Sequence, residues 1–135
     1  WYRGSGTNYW PLVNGEPEFV GITFMHIDAG VDTGEIIHQI RADFCPGDTA
    51  HTAGNRLIRK MAVVCAELVR RFDRLERMPQ PPEPETVRYY RKKDFSEESV
   101  RRLHENLCRG MVEDYLAHRR QREARVPLVS NPALG

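Results

Sequence analysis

The sequence predicts an α/β protein organised around a β-hairpin and a long packing helix. Residues 22–27 and 35–40 are short apolar runs, rich in β-branched and aromatic side chains and flanked by glycine, which read as two strands. The seven residues between them, Asp28-Ala29-Gly30-Val31-Asp32-Thr33-Gly34, exceed what a tight hairpin needs, so this loop is expected to do more than turn the chain. From residue 49 to 75, apolar side chains recur at helical spacing with arginines on the other faces.

Length and composition set the frame. A chain of 135 residues makes one domain at most. With 40% hydrophobic and 29% charged residues it reads as a soluble globular protein, not a disordered or fibrous one. The longest apolar runs are far too short for a transmembrane helix, and the opening Trp-Tyr-Arg has no secretory pattern. A net charge of +1 provides no large basic field, so nucleic acid is not an expected partner. Cys45, Cys65 and Cys108 lie far apart without a C-x-x-C pair, which argues against a disulfide framework and against a zinc site. They are expected to be packing residues in a reducing cytoplasm, and no metal is expected.

In chain order, residues 1–6 read as a Gly-rich loop, followed by a short helix capped by Thr7 and running to Val13, with Asn14-Gly15 ending it. Pro11 is tolerated in its first turn. A turn over residues 15–18 leads into a first strand from about Phe19, and the second strand spans residues 35–44. Cys45-Pro46-Gly47-Asp48 is a breaker turn. The long helix follows, with Ala50, Ala53, Leu57, Met61, Cys65, Leu68, Phe72 and Leu75 on its apolar stripe. Residues 78–86, MPQPPEPET, read as an extended, solvated connection, and residues 87–90 as a short strand or arm. Ser96 caps a further helix whose first turn holds Glu97 and Glu98 and whose stripe is Val100, Leu103, Leu107 and Met111. Gly110 divides it from a short helix to His118; the run over 118–125 reads as a solvated helix end, and the tail from Pro127 shows no regular pattern.

The candidate site residues admit more than one reading. Asp28 and Asp32 fit turn residues that bond their own backbone, and equally a carboxylate presented on a loop. A calcium loop is excluded by the absent later acidic ligands and by flanking strands in place of helices. His26 and His38 flank the loop and His51 opens the long helix; a single strand-borne histidine is ordinarily a packing or surface residue. Arg3-Gly4-Ser5-Gly6 is either a flexible turn or a cradle of backbone N–H groups and a guanidinium for an anion.

The ordered set Arg3-Gly4-Ser5-Gly6-Thr7-Asn8, Gly21-Ile22-Thr23 and Asp28-Ala29-Gly30-Val31-Asp32-Thr33-Gly34 resembles the folate-dependent formyltransferases over roughly residues 1–75. That superfamily includes methionyl-tRNA formyltransferase, glycinamide ribonucleotide formyltransferase and the N-formyltransferases of nucleotide-linked amino sugars. The combination R-G-x-x-x-N, G-x-T and D-x-G-x-D-T-G is far more specific than any of its parts. The resemblance implies a Rossmann-like fold, 10-formyltetrahydrofolate as formyl donor and a small amine as acceptor. It implies Asp32 as the catalytic carboxylate, and Asp28, Ala29, Gly30 and Val31 as the loop that lines the pterin pocket, largely through backbone groups. Arg3, Gly4 and His26 become candidate substrate-binding neighbours.

The family's Asn-x-His-x-Ser motif lies upstream of the R-G loop, so the chain is expected to be the C-terminal part of such a domain. Residues 1–77 would belong to the catalytic domain, and 78–135 to a Pro-rich linker with a helical extension. An upstream segment or a second copy of the chain would then cover its apolar faces. Rival expectations are hydrolysis of the formyl carrier, methionyl-tRNA as acceptor, and a non-catalytic binding module of the same fold.

Overall fold

The computed structural model describes residues 1–85 and 87–135; Thr86, the last residue of the predicted Pro-rich connection, lies outside them. The central hairpin is present, with β2 (Gly21–Met25) and β3 (Ile36–Arg41) antiparallel, Gly21 opposite Arg41 and Phe24 opposite His38. Both strands are shorter than predicted. Pro17–Phe19 forms a 3-10 turn, since a proline fixed near helical φ opens a tight turn more readily than a strand. Beyond Arg41 the Ala42 N–H still reaches across, to Val20 O at 2.9 Å. Phe44 leaves the sheet and meets Tyr115 edge-on, ring centres 5.6 Å apart.

The predicted opening loop is partly a strand. β1 (Tyr2–Gly4) pairs in parallel with β4 (Arg88–Tyr90), Tyr2 facing Arg88 and Gly4 facing Tyr90. Gly4 has φ +91°, and a Cβ on it would lie 2.0 Å from the Tyr90 carbonyl oxygen, so only glycine permits this pairing. α1 (Trp10–Val13) starts later than predicted: Tyr9, not Thr7, is its N-cap, and the amides of Tyr9 and Trp10 fold back onto Gly6 O. Trp10 stacks on Tyr90 with centres 4.1 Å apart, and Asn14 Nδ2 donates to the hydroxyls of Tyr2 (3.0 Å) and Tyr90 (2.9 Å).

The long helix, α2 (Ala50–Arg70), carries the Thr49 cap, with Thr52 N–H donating to Thr49 Oγ1 at 3.2 Å. It stops before the predicted end, and Phe72–Arg74 continues as a 3-10 turn. Ala53, Leu57 and Leu68 are buried, whereas Cys65 is exposed and Phe72 is 60% exposed. All three cysteines are exposed, which corrects their expected role in packing. Helical periodicity identifies a stripe but not how much of it meets a neighbour. Polar contacts secure the start of α2: Asp48 accepts from Arg56 (2.7 and 3.0 Å), Cys45 N–H (2.7 Å) and Thr52 Oγ1 (2.9 Å). The Arg56 guanidinium, above all, holds the Asp48 carboxyl down at about 2.

α3 (Glu97–Cys108) is capped by Ser96 as predicted, and Gly110, at φ +83°, starts α4 (Met111–Ala117). α5 (Arg119–Ala124) is not simply solvated, because Arg122 donates to Gly15 O at 2.8 Å and pairs with Glu18 at 2.8 Å. The tail is more ordered than its composition suggests. Asn131, 1% exposed, donates to Ile37 O (2.8 Å) and Glu76 O (2.9 Å), while its own amide donates to His38 Nδ1 (3.1 Å). The Pro-rich stretch is likewise not wholly solvated: Met78 and Ile36 exchange backbone hydrogen bonds of 2.7 and 3.0 Å.

Two stability effects follow. Asn131→Ala removes the amide that donates to Ile37 O and Glu76 O and should lower unfolding free energy by about 1–3 kcal/mol in urea titrations; a loss under about 0.5 kcal/mol would mean that the tail is not fastened there. For Asp48 the folded pKa lies below the ordinary 3.8, so its stabilisation is present above that value and is lost as pH falls toward about 2. Asp48→Ala should therefore be about 1–2 kcal/mol less stable at pH 7, with the gap closing in acid. A gap unchanged near pH 2 would assign the effect to packing instead of charge.

Candidate functional site at the hairpin loop

The loop between β2 and β3 closes at its base through backbone contact. His26 N–H donates to Glu35 O at 2.9 Å, and Gly34 lies so near the His26 carbonyl that a Cβ would sit 1.6 Å from its oxygen. Above this base, Asp28 Oδ1 accepts from Thr33 Oγ1 at 2.6 Å and from Gly30 N–H at 2.9 Å. These bonds, the Thr33 hydroxyl first, hold the Asp28 carboxyl below its usual range. Its side chain thus builds the turn. Ala29, Gly30 and Val31 form the exposed tip, with Val31 85% and Ile27 99% exposed.

Asp32 is held differently. Its φ of +55° makes it the one non-glycine residue with positive φ among the described residues. Such a backbone costs about 1–2 kcal/mol, less for Asp than for most residues. Its carbonyl accepts from Gln80 Nε2 at 2.7 Å and, more loosely, from Arg3 Nη1 at 3.5 Å. No donor among the described residues reaches its carboxylate, which is left open to solvent.

Asp32 borders a cavity of about 480 Å³ between the hairpin strands and the segments at residues 1–8, 80–84 and 126–128, with Val87. Arg3, Asp32 and Gln80 share its wall with Asn8, Ile22 and Gln39. This volume suits a small-molecule ligand. Arg3 is engaged on three sides, with Glu83 (3.3 Å), Gln80 Oε1 (3.4 Å) and the Asp32 carbonyl. Gly4, His26 and residues 28–31 do not border the cavity. The Ser5 N–H next to Gly4 is taken by Tyr90 O at 2.8 Å, so the stretch at residues 3–6 serves strand pairing. His38 turns to the tail, where burial pushes its pKa down, and His51 is exposed at the start of α2.

Two residues at the site escaped the sequence reading. Asn8 Oδ1 accepts from Gly21 N–H at 2.9 Å and fixes the start of β2; its place in R-G-x-x-x-N was the signal. Gln80 sits in a Pro-rich run that carries no local signal of its contacts 46 and 48 residues away. Among the described residues no group of three His, Cys, Asp or Glu is placed to hold a metal ion, and no helix is long and apolar enough to cross a membrane.

Comparison with known proteins identifies the family. The formyl transferase family model matches residues 1–68. Methionyl-tRNA formyltransferase of Acetivibrio thermocellus is 33% identical over 115 residues, covering 81% of this chain and 36% of that protein. The formyltransferase PseJ from Anoxybacillus kamchatkensis, solved with UDP-4,6-dideoxy-4-formamido-L-AltNAc and tetrahydrofolate, superposes with a TM-score of 0.57 at 31% identity. That match covers 70% of this chain and 48% of PseJ. The N-formyltransferase from Helicobacter canadensis, solved with folinic acid and dTDP-3-aminofucose, gives 0.59 at 27% identity, over 70% of this chain and 35% of the other. The chain spans about a quarter to a third of the length of the curated relatives it matches, 23%, 26% and 36% for three of them. Its α/β structure corresponds to part of a Rossmann-like formyltransferase domain, and the chain belongs to the formyl transferase family.

Proposed function

We propose that the protein transfers a formyl group from 10-formyltetrahydrofolate to the primary amine of a small acceptor, with a nucleotide-linked amino sugar as the acceptor class. The observation that carries this reading is Asp32: the second aspartate of D-x-G-x-D-T-G, inside the matched residues, with its carboxylate uncommitted on a cavity wall. The solved relatives that bind tetrahydrofolate or folinic acid together with nucleotide-linked sugars support the donor and the acceptor class.

The donor supplies a formyl group on a nitrogen of the reduced pterin cofactor. The loop fits such a partner, because Asp28 folds it internally and leaves the backbone at Ala29, Gly30 and Val31 exposed. The Gly30 N–H is taken by Asp28, and the remaining main-chain N–H and C=O groups there would meet the donors and acceptors of a pterin edge. Asp32 takes the proton that the acceptor amine loses as its nitrogen bonds to the formyl carbon, directly or through one water. The same carboxyl returns a proton to the departing nitrogen, so the site ends as it began. Arg3 lies beside Asp32, and an acceptor that carries negative charge would take over its guanidinium from Glu83.

A second reading, methionyl-tRNA as acceptor, is favoured by the curated relatives. Binding of tRNA with a steep salt dependence would select it.

Asp32→Asn should leave the circular dichroism spectrum and melting temperature unchanged and lower formyl transfer by at least about a hundredfold. Near-normal turnover in that variant removes Asp32 from the chemistry, and formate release with no amine present would point to hydrolysis of the donor.

A further inference from the structure

We propose that Gln80 is a positioning residue for the Asp32 loop, locking the backbone from which the carboxylate projects. This rests on the reading of Asp32 as the catalytic group. One side-chain amide nitrogen makes both key contacts: Gln80 Nε2 donates to Asp32 O at 2.7 Å and to Gly34 O at 2.8 Å. The two hydrogens of the amide are thereby used on two carbonyls of the same turn. The carboxamide oxygen faces Arg3 Nη2 at 3.4 Å. The reversed amide would set an oxygen against two carbonyl oxygens and an NH2 against a guanidinium, so the surroundings admit one orientation.

The segment bearing Gln80 is prepared for this task. Met78, two residues before, is bound to Ile36 in both directions, which fixes the segment alongside the start of β3. Pro79 and Pro81 flank Gln80, and a residue that precedes proline is held to extended backbone. Little conformational freedom remains for the clamp to overcome. On the other side, Asp32 has positive φ within an exposed loop, and its one other donor among the described residues is Arg3 at 3.5 Å. The carboxylate is touched by none of this: Gln80 acts through the main chain alone.

The test uses the full-length protein labelled with ¹⁵N, alongside formyl-transfer kinetics. Gln80→Met keeps the length of the side chain and removes both donors. Order parameters at residues 32–34 should fall from about 0.85 to below about 0.6, while those of α2 stay unchanged. The turnover number should drop by about tenfold or more with the acceptor KM unchanged. Gln80→Glu, similar in shape but without donors when ionised, should match Gln80→Met at pH 7 and recover part of the loop order below about pH 4, where its protonated carboxyl offers one hydrogen in place of two. A space-filling role predicts a normal loop in Gln80→Glu at every pH, and that result would overturn the proposal. So would a rigid loop in Gln80→Met, or full turnover in Gln80→Met when Asp32→Asn is inactive. If Asp32→Asn is itself fully active, the catalytic reading falls, while the relaxation data still decide whether Gln80 holds the loop.

Discussion

The contact of Gly34 with the His26 carbonyl governs what the hairpin can present. Because no Cβ intervenes, Glu35 O reaches His26 N–H and the seven-residue loop leaves the sheet at one fixed angle. Closing the base there also sets the next residue, Ile36, against Met78, and that pairing brings the Pro-rich segment over the loop. Any larger residue at position 34 would open the base by more than an ångström, and the contacts above it would part together. The position of the Asp32 backbone is thus inherited from a glycine two residues away.

A second constraint joins chain segments of very different composition into one core. Gly4 admits β4 beside β1, Tyr90 then stacks on Trp10, and Asn14 ties the hydroxyls of both strands. Asn106 of α3 donates to Leu12 O (3.0 Å) and Val13 O (2.8 Å), satisfying carbonyls at the end of a helix only four residues long. A helix that short has little stability of its own and depends on such partners. α2, by contrast, is secured at its start by the Asp48–Arg56 pair and by Lys60 Nζ, which donates to Asp43 Oδ2 at 3.0 Å. Its apolar anchorage comes from the buried Ala53, Leu57 and Leu68 and the half-buried Ala50, Met61 and Val64.

These two constraints explain which parts of the structure were legible in the sequence. The hairpin, the two capped helices and the break at Gly110 rest on local signals: β-branched runs, Thr49 and Ser96 at N-caps, a glycine at positive φ. β1 was invisible because a three-residue strand has no periodicity, and its partner is more than 80 residues away. Asn131 reads as an ordinary polar residue of a tail, yet its amide bonds two distant carbonyls. Phe72 and Cys65 obey the helical period and stay exposed, since a period specifies a face and not its cover. At the site, the D-x-G-x-D-T-G pattern located the loop, but nothing local distinguished the tasks of its two aspartates, and Gln80 carried no signal at all.

That difference between the two aspartates is the physical content of the loop. Asp28 turns its carboxylate inward, onto Thr33 and Gly30, and those bonds lower its pKa. Asp32 does the reverse: its backbone is bonded through the carbonyl and its carboxylate is left free. Had the carboxylate been bonded within the loop, a proton transfer would first have to break that bond. With the main chain free instead, the carboxylate would sample a range of positions, and a displacement of about 1 Å can cost about a hundredfold in rate. A rigid backbone under an unbonded carboxylate avoids both losses. The cost is the left-handed φ at Asp32, about 1–2 kcal/mol, comparable to what two amide–carbonyl hydrogen bonds supply. On the proposed chemistry, the strain and the clamp are therefore two halves of one arrangement, each of which would be pointless without the other.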